Sequence, residues 1–122
     1  MINLTKEYYD ELIEFLPDDN IIKSLIDFIY KSNKSFMAVK DLDNNYYLFE
    51  IVSFKNLVDE VRIKLMSYNK IPAVLYEHRS MIRPREDFYD NKIVMFFNNN
   101  TIGIKKIKLL DSFDEGMEYM LW

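Results

Sequence analysis

The chain has 122 residues, 49% of them hydrophobic and 16% aromatic, with two glycines, no cysteine and a net charge of −4. This composition supplies one core without disulfides or metal clips, so residues 1–122 read as a single domain and disorder is excluded. The missing cysteines exclude disulfide frameworks, thiolate metal sites and thiol nucleophiles.

The opening MINLTKEYYDELIEF carries acids where an export signal needs a basic start and an apolar run. No apolar stretch approaches the roughly 20 residues of a membrane span. The chain is therefore expected to be cytoplasmic, with no membrane partner. Charge is segregated along it. Residues 1–60 hold twelve acids against six bases, residues 61–110 four against ten, and residues 111–122 four acids and no base. Such polarity either marks an interaction surface or pairs up on folding.

In chain order, Thr5 caps a helix through Phe15, with Tyr9, Leu12, Ile13 and Leu16 at helical spacing. Pro17, Asp18 and Asp19 stop it and start a second helix, whose apolar stripe is Ile21, Ile22, Leu25, Ile26 and Ile29. From Phe36 the period changes: SFMAVK and YYLFEIVS are strand-like runs joined by DLDNN, a hairpin turn. Ser53 reads as the cap of a further helix, with Phe54, Leu57, Val58, Val61 and Leu65 on one face. Pro72 opens the strand PAVLYE. KIVMFF, apolar at every position after the lysine, reads as a strand covered on both faces, with Val94 and Phe96 in the core. NNN turns the chain into TIGIKKIKLL, where the apolar phase slips between Ile104 and Ile107 and predicts a bulge near Gly103. Ser112 and Glu115 form a capping box for a short C-terminal helix, whose end, MEYMLW, is expected to dock on the core. The fold expected is thus α+β: an N-terminal αα-hairpin, then a ββαβββ mixed or antiparallel sheet packed by a central helix, then the short C-terminal helix.

Candidate sites are few. DLDNNYYLFEIV starts like a calcium loop, but Tyr46 and Val52 stand where glycine and a bidentate glutamate are required. His78 is the only histidine; it has neither a metal-ligating neighbourhood nor a nucleophile elbow beside Ser80, so it carries no catalytic reading. The acid pairs 18–19, 86–87 and 114–115 fall at turns and helix starts, where carboxylates are favoured anyway. No glycine-rich phosphate loop is present, and no metal or cofactor is implied.

The stretch YEHRSMIRPRED stands out, because it holds three of the four arginines. It connects two expected strands, and connections of this kind carry binding residues. Arginine suits bidentate contact with phosphate or carboxylate, and Pro84 holds Arg83 extended. His78, Arg79, Arg83 and Arg85, with Lys105, Lys106 and Lys108 on the last strand, form the expected partner- or anion-binding set. The competing reading is a loop neutralised by Glu77, Glu86, Asp87 and Asp90, whose exposed pairs would contribute little.

These residues match no family motif. A small, ordered, mildly acidic chain rich in Asn, Lys, Ile, Tyr and Phe resembles in character the phage and mobile-element proteins that inhibit bacterial defences, anti-CRISPR proteins among them. That class shares no fold. The resemblance carries no site over; the function expected is a non-enzymatic binding protein that blocks a host protein partner, with its acidic N-terminal half or its arginine loop as the contact. The alternatives are a nucleotide or nucleic-acid binder using residues 79–85, and an immunity protein for a toxin.

Overall fold

The computed structural model describes residues 2, 4–16, 20–57, 60–77 and 93–120, with only the backbone of 119 and 120. The elements are α1 (Lys6–Ile13), α2 (Ile21–Ser32), β1 (Phe36–Asp41), β2 (Tyr46–Leu57), β3 (Glu60–Ser67), β4 (Pro72–Glu77), β5 (Ile93–Phe97), β6 (Asn100–Leu110) and α3 (Phe113–Met120).

The six strands form a closed antiparallel barrel in which each strand pairs with the next and β6 returns to β1. This overturns the expected mixed sheet with a central helix. The segment read as that helix is instead the hairpin of β2 and β3, paired from Phe49↔Ser67 to Leu57↔Glu60. Phe54, Leu57, Val61 and Leu65 do recur at helical intervals. Ile63, however, completes the alternation Val61, Ile63, Leu65, and all three are buried. Two β-branched residues in that triplet favour the pleated surface. A register shift between Ile51 and Ser53 also breaks the period of β2, hiding the strand from a search for strict alternation.

Turn chemistry was more legible. DLDNN is the β1–β2 turn, with Asn44 at φ 66°, and Asn98 and Asn99 both take positive φ between Phe97 and Asn100. Two positive-φ residues are what a mirror-image two-residue hairpin turn needs, and asparagine tolerates them. Pro72 opens β4 as expected. The phase slip in β6 is a bulge: Lys40 faces Lys106 while Asp41 faces Ile104, leaving Lys105 as the extra residue.

The inward positions, Met37 and Val39 of β1, Phe49 and Ile51 of β2, Val61, Ile63 and Leu65 of β3, Ala73 and Leu75 of β4 and Met95 of β5, form one core. Ile93 and Phe97 pack against it. Val94 is buried, but Phe96 is 46% exposed, so KIVMFF is not covered on both faces along its length. A strand in a small barrel has one packed face, and its outer face is covered only where another element lies on it.

The expected αα-hairpin is present and covers the barrel end where β2 and β4 finish. Leu12, Leu16, Ile22, Leu25, Ile26 and Ile29 join the barrel core. The Tyr8 hydroxyl donates to the Phe54 carbonyl at 3.3 Å, and the Ile21 N–H to Glu77 Oε2 at 2.9 Å. Thr5 caps α1 as expected, its Oγ1 accepting from the Tyr8 N–H. The cap of α2 is Asn20, whose Oδ1 accepts from the Ile22 and Lys23 N–H groups; Pro17, Asp18 and Asp19 lie outside the described residues. Between the helices, the Tyr9 hydroxyl donates to Asp27 Oδ1 at 2.6 Å and its ring stacks on Tyr30. The Asp27 hydrogen bond, with burial second, pushes the Tyr9 phenol up to about 12.

Helix α3 lies on the outer face of β1, β2 and β6. Ser112 Oγ accepts from the Glu115 N–H as expected, but the Glu115 carboxylate reaches back to the Asp111 N–H rather than to Ser112. Gly116 sets the approach: a Cβ there would collide with Leu48 and come within 2.8 Å of Leu110 Cδ1. Leu110 is buried and has little room to yield. Gly116→Val should therefore lift α3 from the barrel and cost about 1–3 kcal/mol, the range for overpacking. Chemical denaturation checks this, and an unchanged midpoint would mean the helix is not held there.

Candidate binding face

Two features of the barrel wall meet along β6. The first is a basic strip on its outer face. Lys40 of β1 lies directly across from Lys106 of β6, and Ala38 across from Lys108, so Lys40, Lys106 and Lys108 share one side. Lysines directly opposed across a ladder repel each other and weaken the pair. Neither Lys40 nor Lys106 has a carboxylate partner among the described residues. The Lys40 ammonium instead sits over the Tyr46 ring, 5.2 Å from its centroid. Lys105, turned aside by the bulge, donates to Asn44 Oδ1 at 3.2 Å.

The second feature is a groove of about 380 Å³ between α2 and the wall, lined by Ile21, Ser24, Leu25 and Phe28 of α2, by Ile93, and by residues 104–107 of β6. Its surface is mainly aliphatic and aromatic, and Phe28 is 63% exposed. Lys105 and Lys106 line the same groove, so they link it to the basic strip.

The β1–β2 turn beside the strip is organised by one carboxylate. Asp41, only 4% exposed, accepts at Oδ1 from the Asp43 and Asn45 N–H groups and at Oδ2 from the Asn45 amide and the Tyr47 hydroxyl. Burial pushes this carboxyl up, but together the hydrogen bonds from Asn45, Tyr47 and Asp43 outweigh it and hold it below its ordinary value. Burial, followed by the Asp41 carboxylate, raises the Tyr47 phenol. The arrangement is a turn built on a buried carboxylate, not a calcium loop: three of the four donors are N–H groups, which repel a cation.

Of the residues singled out in the sequence, His78, Arg79, Arg83 and Arg85 lie outside the described residues. The described residues on either side of that stretch are Glu77, whose carboxylate holds the α2 N-terminus, and Ile93, which lines the groove. Lys106 and Lys108 do share a face, whereas Lys105 points elsewhere from the bulge. Sequence reasoning missed Lys40, Tyr46 and Phe28. The outward phase of Lys40 in SFMAVK was the available signal, but its pairing with Lys106 depends on barrel closure. Phe28 stands off the apolar stripe of α2, which could have marked it as exposed.

Among the described residues no group of three or more His, Asp or Glu side chains is placed to hold a metal ion, and no helix is long and apolar enough to cross a membrane. No family model matches the chain, and neither a curated protein nor a solved structure matches it.

Proposed function

We propose that this chain is a non-enzymatic binding protein that engages a protein partner through the α2–β6 groove, in the manner of an inhibitor. The observation that carries this is an apolar groove with an exposed phenylalanine, lined also by two lysines. An apolar centre with a polar rim is the usual anatomy of a protein-binding patch, and aromatic residues are its common anchors. Lys105 and Lys106 suit a partner with acidic groups beside its apolar anchor, steering encounter and fixing register. Inhibition of a bacterial defence component by a phage or mobile-element protein is the setting in which a small binder of this character fits. A toxin's immunity protein would use such a face in the same way.

Phe28→Asp combined with Lys106→Glu should leave the melting temperature within a few degrees, because both side chains reach solvent. It should weaken partner binding by about tenfold or more, since a central anchor contributes about 2 kcal/mol or more. The test is capture from host lysate with wild type and variant side by side, followed by titration of the purified partner. Equal affinity of the two proteins would overturn the groove as the contact.

The strip of Lys40, Lys106 and Lys108 beside the Tyr46 ring favours a second reading, nucleotide or nucleic-acid binding. That reading predicts a copurified nucleotide absorbance and affinity that falls steeply with salt. Lys40→Ala with Lys108→Ala would lower it without touching the residues that line the groove.

A further inference from the structure

The αα-hairpin covers one end of the barrel; the other carries the β1–β2, β3–β4 and β5–β6 turns. Between the start of β2 and the β3–β4 turn lies a slot of about 200 Å³. Tyr47, Phe49 and Phe97 line it, with Tyr68 and Ile71 from the turn. The Tyr47 and Phe49 rings are nearly parallel, 10° apart with centroids at 6.3 Å. Phe97 stands edge-on to both, at 89° and 86°. The walls are fixed in place: Phe49, with no solvent access, backs the Tyr47 and Phe97 rings from within, and the Tyr47 hydroxyl is tied to Asp41 at 2.9 Å. The Tyr68 and Ile71 side reaches water, with Tyr68 60% exposed.

We propose that this slot binds one neutral planar aromatic ring, single or fused double, carried by a small molecule. The wall chemistry selects the ring, because fixed aromatic faces and edges favour offset and edge-on partners. Among the described residues no charged side chain lines the slot, so a carboxylate or phosphate on the ring would find no charged partner there. Size agrees, since an apolar cavity of about 150 Å³ admits benzene and a somewhat larger one admits a fused pair. Ser67 and Asn69 add polar groups to the lining. Ser67 Oγ accepts from the Ile71 N–H at 3.0 Å, which leaves its own proton free to donate to the ring's edge. Barrel mouths commonly serve as ligand sites, and the interior below this one is filled by core side chains.

The experiment is titration of the full-length labelled protein with indole and with adenosine, followed by NMR at the Tyr47, Phe97 and Ile71 side chains. At least one probe should give saturable shifts with a Kd of about 1 mM or tighter. Ile71→Trp should place a ring in the slot from its exposed side, abolish those shifts and leave the melting temperature within a few degrees. Tyr68→Ala, which opens the slot without entering the core, should weaken binding several-fold. Absence of saturable shifts, or shifts that persist in Ile71→Trp, would overturn the proposal. Binding of a capped Gly-Trp-Gly peptide without binding of either free ring would overturn the small-molecule source.

Discussion

Phe49→Ala should destabilise the protein by about 3–5 kcal/mol, the range for removing a buried aromatic ring. Phe49 is wholly buried and packs against both Tyr47 and Phe97, so the vacancy would open where β2 and β5 face each other across the barrel. Neighbouring strands are held by ladder hydrogen bonds and cannot collapse inward to fill it. A domain with a total stability of about 5–15 kcal/mol would lose a large share of it. The thermal midpoint should fall by roughly 10–20 °C. Phe96→Ala is the matched control: its side chain is 46% exposed on the outer face, and its loss should cost under about 1 kcal/mol. Equal costs for the two variants would place the inward face of β5 on the wrong side.

Asp41→Asn should cost about 2–3 kcal/mol, although it preserves shape. The carboxylate accepts four hydrogen bonds, two at each oxygen. An amide can still accept at one position, but at the other its NH₂ would meet the Asn45 amide and the Tyr47 hydroxyl, both donors. Charge-assisted bonds contribute about 1.5–3 kcal/mol each when intact, and buried donors left unpaired add a penalty. The pH dependence follows from the lowered folded pKa. Because folding lowers the pKa below the ordinary aspartate value of 3.8, the stabilisation is fully present above that value and is lost as pH falls through the folded pKa. Wild type should lose stability below about pH 4, and Asp41→Asn should lack that component of the loss. Denaturant unfolding at neutral pH and at pH 3 checks both statements. Parallel acid limbs in the two proteins would mean that another carboxylate is responsible.

What could be read in the sequence was local chemistry. Thr5, the DLDNN and NNN turns, Pro72, the bulge in β6 and the Ser112 contact to Glu115 each depend on a few adjacent residues, and each was found near its expected place. The hairpin from Ser53 to Ser67 was lost because apolar residues at intervals of three and four also satisfy a helix. The bulge at Ile51 and Ser53 removed the alternation that would have argued otherwise. Closure into a barrel was invisible for a different reason. It rests on β1 meeting β6, and nothing near Phe36 refers to Leu110. The candidate face shared that fate. Lys105, Lys106 and Lys108 were legible as a cluster, but Lys40 and the groove beside Phe28 exist only once distant strands and α2 are brought together.

The pairing of β1 with β6 also governs how the chain must fold. Each of the other ladders joins strands adjacent in sequence, four of them through tight turns or the 58–59 connection and one through the longer 78–92 segment. The last ladder joins residues more than sixty positions apart, from Asp41↔Ile104 to Phe36↔Leu110. Loop-closure entropy opposes that contact until the rest of the sheet is built, so closure comes late and refolding should fall in the range of milliseconds to seconds. Before closure the intermediate is an open six-stranded sheet with two bare edges, β1 and β6. At high concentration those edges can find each other on different molecules before they meet within one, giving a swapped dimer in which each chain's β6 completes the other's barrel. Refolding at low concentration should then favour monomer, and a truncation before Asn100 should leave β1 paired only with β2, its other edge permanently bare and prone to aggregate.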